Sequence, residues 1–269
     1  MEKRFELGFI GAGRMGSALA EGVLKAGMEA EKVCFFDIDG KRAEELKTRT
    51  GAELLGSAAE VFQNSRITFL CVKPDQTPDV LKELSEFEKE SVLVSIAAGI
   101  STNSIRKYGG FRAVRAMPNT PALIGSGVTA VAKSPYVTED EFESVVDVFR
   151  TVGEVVVVEE KHMNAVTALS GSGPAYVFRF IEALKEGGIN LGLSAEISLK
   201  LAVETVLGAA KLLKSTDRST SEMIEMVASP GGTTIAGLKK LEKHGFKYAV
   251  MEALEAAEER AKILEKKNE

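Results

Sequence analysis

Phe5-Glu6-Leu7-Gly8-Phe9-Ile10-Gly11-Ala12-Gly13-Arg14-Met15-Gly16 reads as a buried strand running straight into a glycine turn, and the amphipathic run Ala18 to Lys25 behind it reads as a helix. Gly11 permits the tight turn, Gly13 lets the backbone approach a pyrophosphate, and Gly16 lets the helix pack against the strand. The helix N-terminus, opened by Ala12, Arg14 and Met15 between those glycines, then faces the phosphates. A second apolar strand, Val33 to Phe36, ends in Asp37, roughly twenty residues after the last glycine, where a carboxylate can accept hydrogen bonds from an adenosine ribose. Strand, glycine turn, helix and acidic residue together predict a dinucleotide site. Asp37 favours the free 2′-hydroxyl of NADH. Lys41 and Arg42, one helical turn on, are placed either to pair with the 2′-phosphate of NADPH or to form a solvated helix face, so NADPH or NADH stays open.

Outward from this segment, short apolar runs alternate with helical patterns up to Glu160. They place strands at Phe5 to Ile10, Val33 to Phe36, Ile67 to Val72, Val92 to Ala97, Ala113 to Met117, Val128 to Ala132 and Val155 to Val158. Thr77-Pro78 and Thr138-Glu139-Asp140-Glu141 mark helix starts, the latter a capping box opening a helix through Phe149. After Glu160 the pattern is helical, with breaks expected at Gly171-Ser172-Gly173-Pro174, Gly187-Gly188, Ser215 to Ser221 and a Ser-Pro-Gly-Gly turn. The expected fold class is α/β: an N-terminal Rossmann-type parallel sheet domain over residues 1–160, followed by an all-α C-terminal dimerisation domain over residues 161–269. The helix Ala195 to Lys214 confines Glu196, Lys200, Glu204 and Lys211 to one stripe and is apolar around much of the rest, so it needs cover on several sides. A homodimer built through this domain is the economical expectation, with a central helix in a monomeric bundle as the alternative.

With 269 residues, 45 % apolar and 27 % charged, the chain has the composition of an ordinary globular protein, and its formal charge of −5 argues against a general nucleic-acid surface. No apolar run is long enough to span a membrane, and the first strand is entered without a signal-type segment. Cys34 and Cys71 fall in predicted strands without CxxC spacing and read as small hydrophobes, not as a disulfide or a metal site. A cytoplasmic location follows as an expectation.

The second chemical feature is Ser229-Pro230-Gly231-Gly232-Thr233-Thr234, which supplies hydroxyls and bare amides where a helix begins. Ser229 suits the N-cap and Pro230 the first helical position, and the exposed N–H groups form a seat for a carboxylate. Three loops at strand ends are candidates to line the cofactor: Val72-Lys73-Pro74 after Cys71, Ala97-Ala98-Gly99, and Met117 to Pro121 with Asn119. His162 and His244 sit in polar, helix-flanking positions and read as structural or solvated.

These residues resemble the pyrroline-5-carboxylate reductase family over essentially the whole chain: Phe9 to Gly16, Val72-Lys73-Pro74, Ile96 to Gly99, Arg115 to Pro121, Leu169 to Tyr176, and Ser229 to Thr234 continuing to Leu238 and Leu241. The resemblance implies NAD(P)H-dependent reduction of 1-pyrroline-5-carboxylate to L-proline, the last step of proline biosynthesis, in a homodimer or a larger assembly of dimers. It also implies that Thr234 lies near the ring nitrogen. A cyclic imine accepts hydride once its nitrogen is protonated or hydrogen-bonded, so neither a metal nor a strong base is called for. Thr234 is then the candidate catalytic hydroxyl, and Ser229, Gly231, Gly232 and Thr233 are candidates to hold the carboxylate. One departure stands out: many family members carry serine or threonine where this chain has Asp37, which predicts at least comparable use of NADH. The opening segment also resembles β-hydroxyacid dehydrogenases, but their lysine after the glycine-rich segment is missing, since Gly171-Ser172-Gly173 is followed by Pro174, Ala175, Tyr176, Val177 and Phe178. A nicotinamide-binding sensor without turnover is the reading from another class.

Overall fold

The computed structural model describes residues 3–88 and 90–268. Eight strands form one sheet: β1 Phe5–Ile10, β2 Val33–Phe36, β3 Glu53–Leu54, β4 Ser65–Leu70, β5 Val92–Ser95, β6 Ala113–Met117, β7 Gly127–Lys133 and β8 Gly153–Val157. Their spatial order is β3-β2-β1-β4-β5-β6-β7-β8. Six helices alternate with them: α1 Arg14–Lys25, α2 Gly40–Thr50, α3 Ala58–Asn64, α4 Thr77–Leu84, α5 Thr102–Lys107 and α6 Glu139–Arg150. The central strands are mostly apolar and buried because helices cover both faces of the sheet, with Glu6 and Arg66 exposed near the strand starts. In register, Phe9 pairs with Phe35 and Phe69, all fully buried. On one face the rings of Phe9 and Phe69 stack at 5.0 Å and Phe69 meets Phe149 of α6 edge-on at 5.7 Å; Phe5, Ile10, Phe62, Leu81 and Phe111 belong to a separate buried cluster.

The sheet departs from the all-parallel expectation at one pairing: β7 runs antiparallel to β6. The connection from Met117 to Gly127 holds only a short 3-10 turn, Thr120–Ile124, and a parallel return needs a crossover of a dozen or more residues. β3, absent from the sequence reading, is a two-residue edge strand too short to show periodicity. The expected capping box at Thr138 is present. Both cysteines are free thiols, with burial pushing each up to about 12, so neither is a ready thiolate at neutral pH.

The remaining helices are α7 Met163–Val166, α8 Gly173–Asn190, α9 Ala195–Lys214, α10 Thr220–Val227, α11 Thr233–Lys243 and α12 Phe246–Lys267. A π-helical turn, Thr167–Gly171, lies between α7 and α8. The chain divides into two compact units, Met1–Ser172 with Ala257–Glu269, and Gly173–Ala256. The division thus falls at Ser172 and not at the composition shift after Glu160. Two contacts explain it: Met163 is buried with Met117, Ala130 and Ala132 of the sheet, and Glu160 accepts hydrogen bonds from the amide and hydroxyl of Thr102.

In the second unit, the expected break at Gly187-Gly188 does not occur, and α8 continues through it. The glycines serve packing instead: a Cβ on Gly188 would lie 2.7 Å from Ser198 Oγ of α9. Gly188→Val is accordingly expected to force α8 and α9 apart and destabilise the protein by about 1–3 kcal/mol, measurable by chemical unfolding; an unchanged midpoint would mean the helices are not in contact there. Ser198 and Ala202 are the buried residues of this unit, whereas Phe178 is 64 % exposed and Leu201 54 %.

Candidate active site

In the first unit, a cavity of about 810 Å³ opens at the carboxyl ends of β1, β2 and β4, where the strand order reverses direction around β1. Gly11 carries a φ of +104°, its amide donates to Phe36 O at 2.7 Å, and a Cβ there would press on the Cys71 carbonyl at 2.9 Å. A Cβ on Gly16 would lie 2.0 Å from Gly11 O, which is why α1 can begin so close to β1. Gly13, the N-cap of α1, has nothing within 4 Å of where its Cβ would be. A turn with open space at its middle glycine, backed by the unpaired amides of a helix start, fits a pyrophosphate. Arg14 and Met15 both line the cavity, and Met15 also packs against the core beneath it.

Asp37 lines the same cavity but is turned inward. Its Oδ2 accepts from the Ala12 amide at 2.6 Å and its Oδ1 from the Asp39 amide at 2.7 Å, and its side chain is only 6 % exposed. Val72 and Lys73 also line the cavity. Pro74 follows them in the turn before α4, where the Lys73 carbonyl accepts from the amides of Gln76 and Thr77.

The other two predicted loops contact protein. Ala97 is buried, Ala98 packs at the edge of the methionine cluster, and a Cβ on Gly99, which has a φ of +73°, would meet the backbone of Leu264 and Glu265 at 3.1 Å. The Gly99 carbonyl accepts from Asn268 at 3.1 Å. Asn119 uses its amide to bridge elements, accepting from Val128 N at 3.0 Å and donating to Ser170 O at 3.2 Å.

Ser229–Thr234 belongs to the second unit, between α10 and α11. Its local geometry corrects one expectation: Ser229 is not the N-cap and Pro230 is not helical. Ser229 O accepts from Gly232 N at 3.0 Å, and Gly231 has a φ of +74°. With Pro230 and Gly231 as its two central residues, this is a type II β-turn, for which Pro-Gly is the favoured pair. Gly232 is the N-cap, without a side-chain cap, so Thr233 and Thr234 are the first helical residues. Their amides and that of Ile235 have no acceptor inside the helix, and both hydroxyls sit on that first turn.

A polar cluster that the sequence reading missed lies at the end of α12. Arg115 on β6 is 1 % exposed and pairs with Glu265 at 2.5 Å and Glu160 at 3.8 Å. Glu265 also accepts from Asn164 at 2.6 Å. Nε and Nη2 of Arg115 have no partner among the described residues. An arginine inside the otherwise apolar run Ala113 to Met117 was the available signal.

The fold and the cleft define a dinucleotide-dependent oxidoreductase with an appended helical unit. A family model described as pyrroline-5-carboxylate reductase dimerisation matches residues 160–264, and one described as NADP oxidoreductase coenzyme F420-dependent matches residues 6–99. A pyrroline-5-carboxylate reductase of Corynebacterium melassecola is 40 % identical, covering 96 % of this chain and 97 % of its own. Two solved structures are each 34 % identical. That of a Coxiella burnetii pyrroline-5-carboxylate reductase has a TM-score of 0.92 and covers 97 % of this chain and 99 % of that one. That of a Plasmodium falciparum pyrroline carboxylate reductase with NADP bound has a TM-score of 0.87 and covers 98 % of this chain and 100 % of that one. The chain belongs to the pyrroline-5-carboxylate reductase family.

Proposed function

We propose that the protein reduces 1-pyrroline-5-carboxylate to L-proline with NADPH or NADH, and works as a homodimer or an assembly of dimers. The observation that carries the reading is the Ser229–Gly232 type II turn, which presents the free amides and two hydroxyls of the α11 start as an anion seat in a chain that also has a dinucleotide cleft. In this assignment the amides of Thr233 and Thr234, with Ser229, Gly231 and Gly232, hold the substrate carboxylate. The Thr234 hydroxyl hydrogen-bonds the ring nitrogen and polarises the C=N bond, so that the carbon becomes the electrophile. Bound NADPH or NADH supplies the hydride that this carbon accepts. The ring nitrogen takes one proton from solvent as the carbon takes the hydride and so ends as a secondary amine, and the chemistry needs no metal.

Self-association is supported by the second unit's surface. Only Ser198 and Ala202 are buried in it, while Val177, Phe178, Leu199 and Leu201 are among its exposed apolar side chains; a helical unit with so little interior needs cover. Cofactor binding is assigned to the first unit and dimerisation and substrate binding to the second, Gly173–Ala256, and the cytoplasm is the proposed location. No helix among the described residues is long and apolar enough to cross a membrane. Mixing the protein with pyrroline-5-carboxylate and either cofactor is expected to consume cofactor absorbance and form proline in equal amount. No consumption with either cofactor overturns the reaction. Leu201→Glu with Phe178→Glu is expected to lower the sedimentation mass to that of one chain; an unchanged mass would remove this surface from the interface.

A further inference from the structure

We propose that Asp37 is an internal staple of the glycine turn, and that discrimination at the cofactor's ribose 2′ position is made by Arg42, which Asp39 holds at the mouth of the cleft. The proposal rests on the cofactor cleft assigned above and not on the identity of the reduced substrate.

Three hydrogen bonds tie the turn to the end of β2: Gly11 N to Phe36 O at 2.7 Å, Ala12 N to Asp37 Oδ2 at 2.6 Å, and Asp39 N to Asp37 Oδ1 at 2.7 Å. The last two are charge-assisted and occupy one oxygen each, on a side chain that is almost fully buried. A carboxylate committed in this way shapes the loop that receives the pyrophosphate and presents little of itself to a ribose hydroxyl. Its negative charge is also partly offset by the two amides and by Arg42 Nη1 at 3.9 Å, so it repels a phosphate less than a bare carboxylate would.

Arg42 lines the same cavity and is half exposed. Its Nε donates to Asp39 Oδ2 at 2.9 Å, while Asp39 Oδ1 accepts the amides of Lys41 and Arg42 and caps α2. Asp39 is therefore fixed to the helix start, and it fixes the guanidinium in turn. The hydrogen bonds from Arg42 hold the Asp39 carboxyl below its ordinary range. With Nε engaged, the Nη edge of the planar fork remains for a ligand, and a fork suits a phosphate dianion better than a hydroxyl. A 2′-phosphate gains this edge, whereas NADH leaves it with Asp39 and water. Asp39, the negative charge nearest the fork, tempers the preference.

The test is titration of NADPH and NADH into the full-length protein, without substrate, for the wild type and three variants. Arg42→Ala is expected to weaken NADPH about tenfold or more relative to NADH, the loss of one bidentate charged contact. Asp39→Asn, which keeps the helix cap, is expected to shift the ratio the opposite way by about threefold or more. Asp37→Asn is expected to weaken both cofactors by about tenfold, with the KM for pyrroline-5-carboxylate at saturating cofactor little changed, because the turn and not the substrate seat is loosened. Since binding is read without substrate, a wild type that binds both cofactors but reduces nothing would overturn the reaction and leave this assignment standing. The assignment is overturned if Asp37→Asn binds NADPH more tightly than the wild type, as removal of a discriminating carboxylate would cause, or if Arg42→Ala weakens both cofactors equally.

Discussion

Arg115→Ala is expected to lower the free energy of unfolding by about 3–5 kcal/mol, the cost of removing one member of a buried charged cluster. Arg115 is among the largest fully buried side chains of the described residues, and its guanidinium is the cation for two carboxylates, Glu160 and Glu265. Its loss leaves both carboxylates without that cation and opens a cavity beneath the last turns of α12. Those turns also close over Gly99 and hold Asn164, so the damage should extend to the Ala97–Gly99 loop. Equilibrium unfolding in urea at fixed protein concentration measures it, since an oligomer's apparent stability depends on concentration. Glu265→Gln keeps one acceptor, for Arg115, and replaces the other oxygen with an amide donor that the unpartnered Oδ1 of Asn164 can accept once its amide turns over; with Arg115 still paired to Glu160, it should cost less than half as much. A change under about 1 kcal/mol for Arg115→Ala would mean that the cluster contributes nothing net, as some buried ion pairs do.

Thr234→Ala is expected to reduce turnover by about a hundredfold, the usual effect of deleting one donor aimed at the reacting group, with cofactor affinity nearly unchanged. Thr234→Ser should restore most of the rate, because the hydroxyl and not the methyl group is assigned the role. The control is Gly13→Val. The open space at Gly13 is where the added side chain would stand in place of a pyrophosphate, so cofactor affinity should fall while the Ser229–Thr234 turn is untouched. Steady-state kinetics with independent cofactor titration separate the two outcomes. If Thr234→Ala costs cofactor affinity and Gly13→Val costs only turnover, the two sites have been exchanged.

Much of this architecture is legible in local sequence. β1, β2, β6 and α9 begin and end where the apolar runs predict, and Thr138 caps α6 through a contact three residues long. Such features depend on propensity, periodicity and side chains a few positions apart, which a sequence displays directly. The glycine turn is legible for the same reason: Gly11, Gly13 and Gly16 each answer a separate steric demand within one short segment. The anion seat was legible in composition but not in detail. The Ser-Pro-Gly-Gly run reads locally as a helix cap, yet Gly231 at positive φ closes a type II turn first, and the helix starts three residues later than that reading places it.

By itself, then, the sequence determined the order and kind of the elements, the nucleotide-type turn and the chemistry of the hydroxyl-rich segment, because each is set by residues adjacent in the chain. Tertiary structure alone decided where the carboxylate of Asp37 spends its hydrogen bonds, that α8 runs through two glycines to meet Ser198, that β7 reverses against β6, and that Arg115 finds its counter-charge on Glu265 near the far end of the chain. Each of these depends on a neighbour brought close by folding, and the free energy of a buried polar or close-packed contact is set by that neighbour and not by the residue alone.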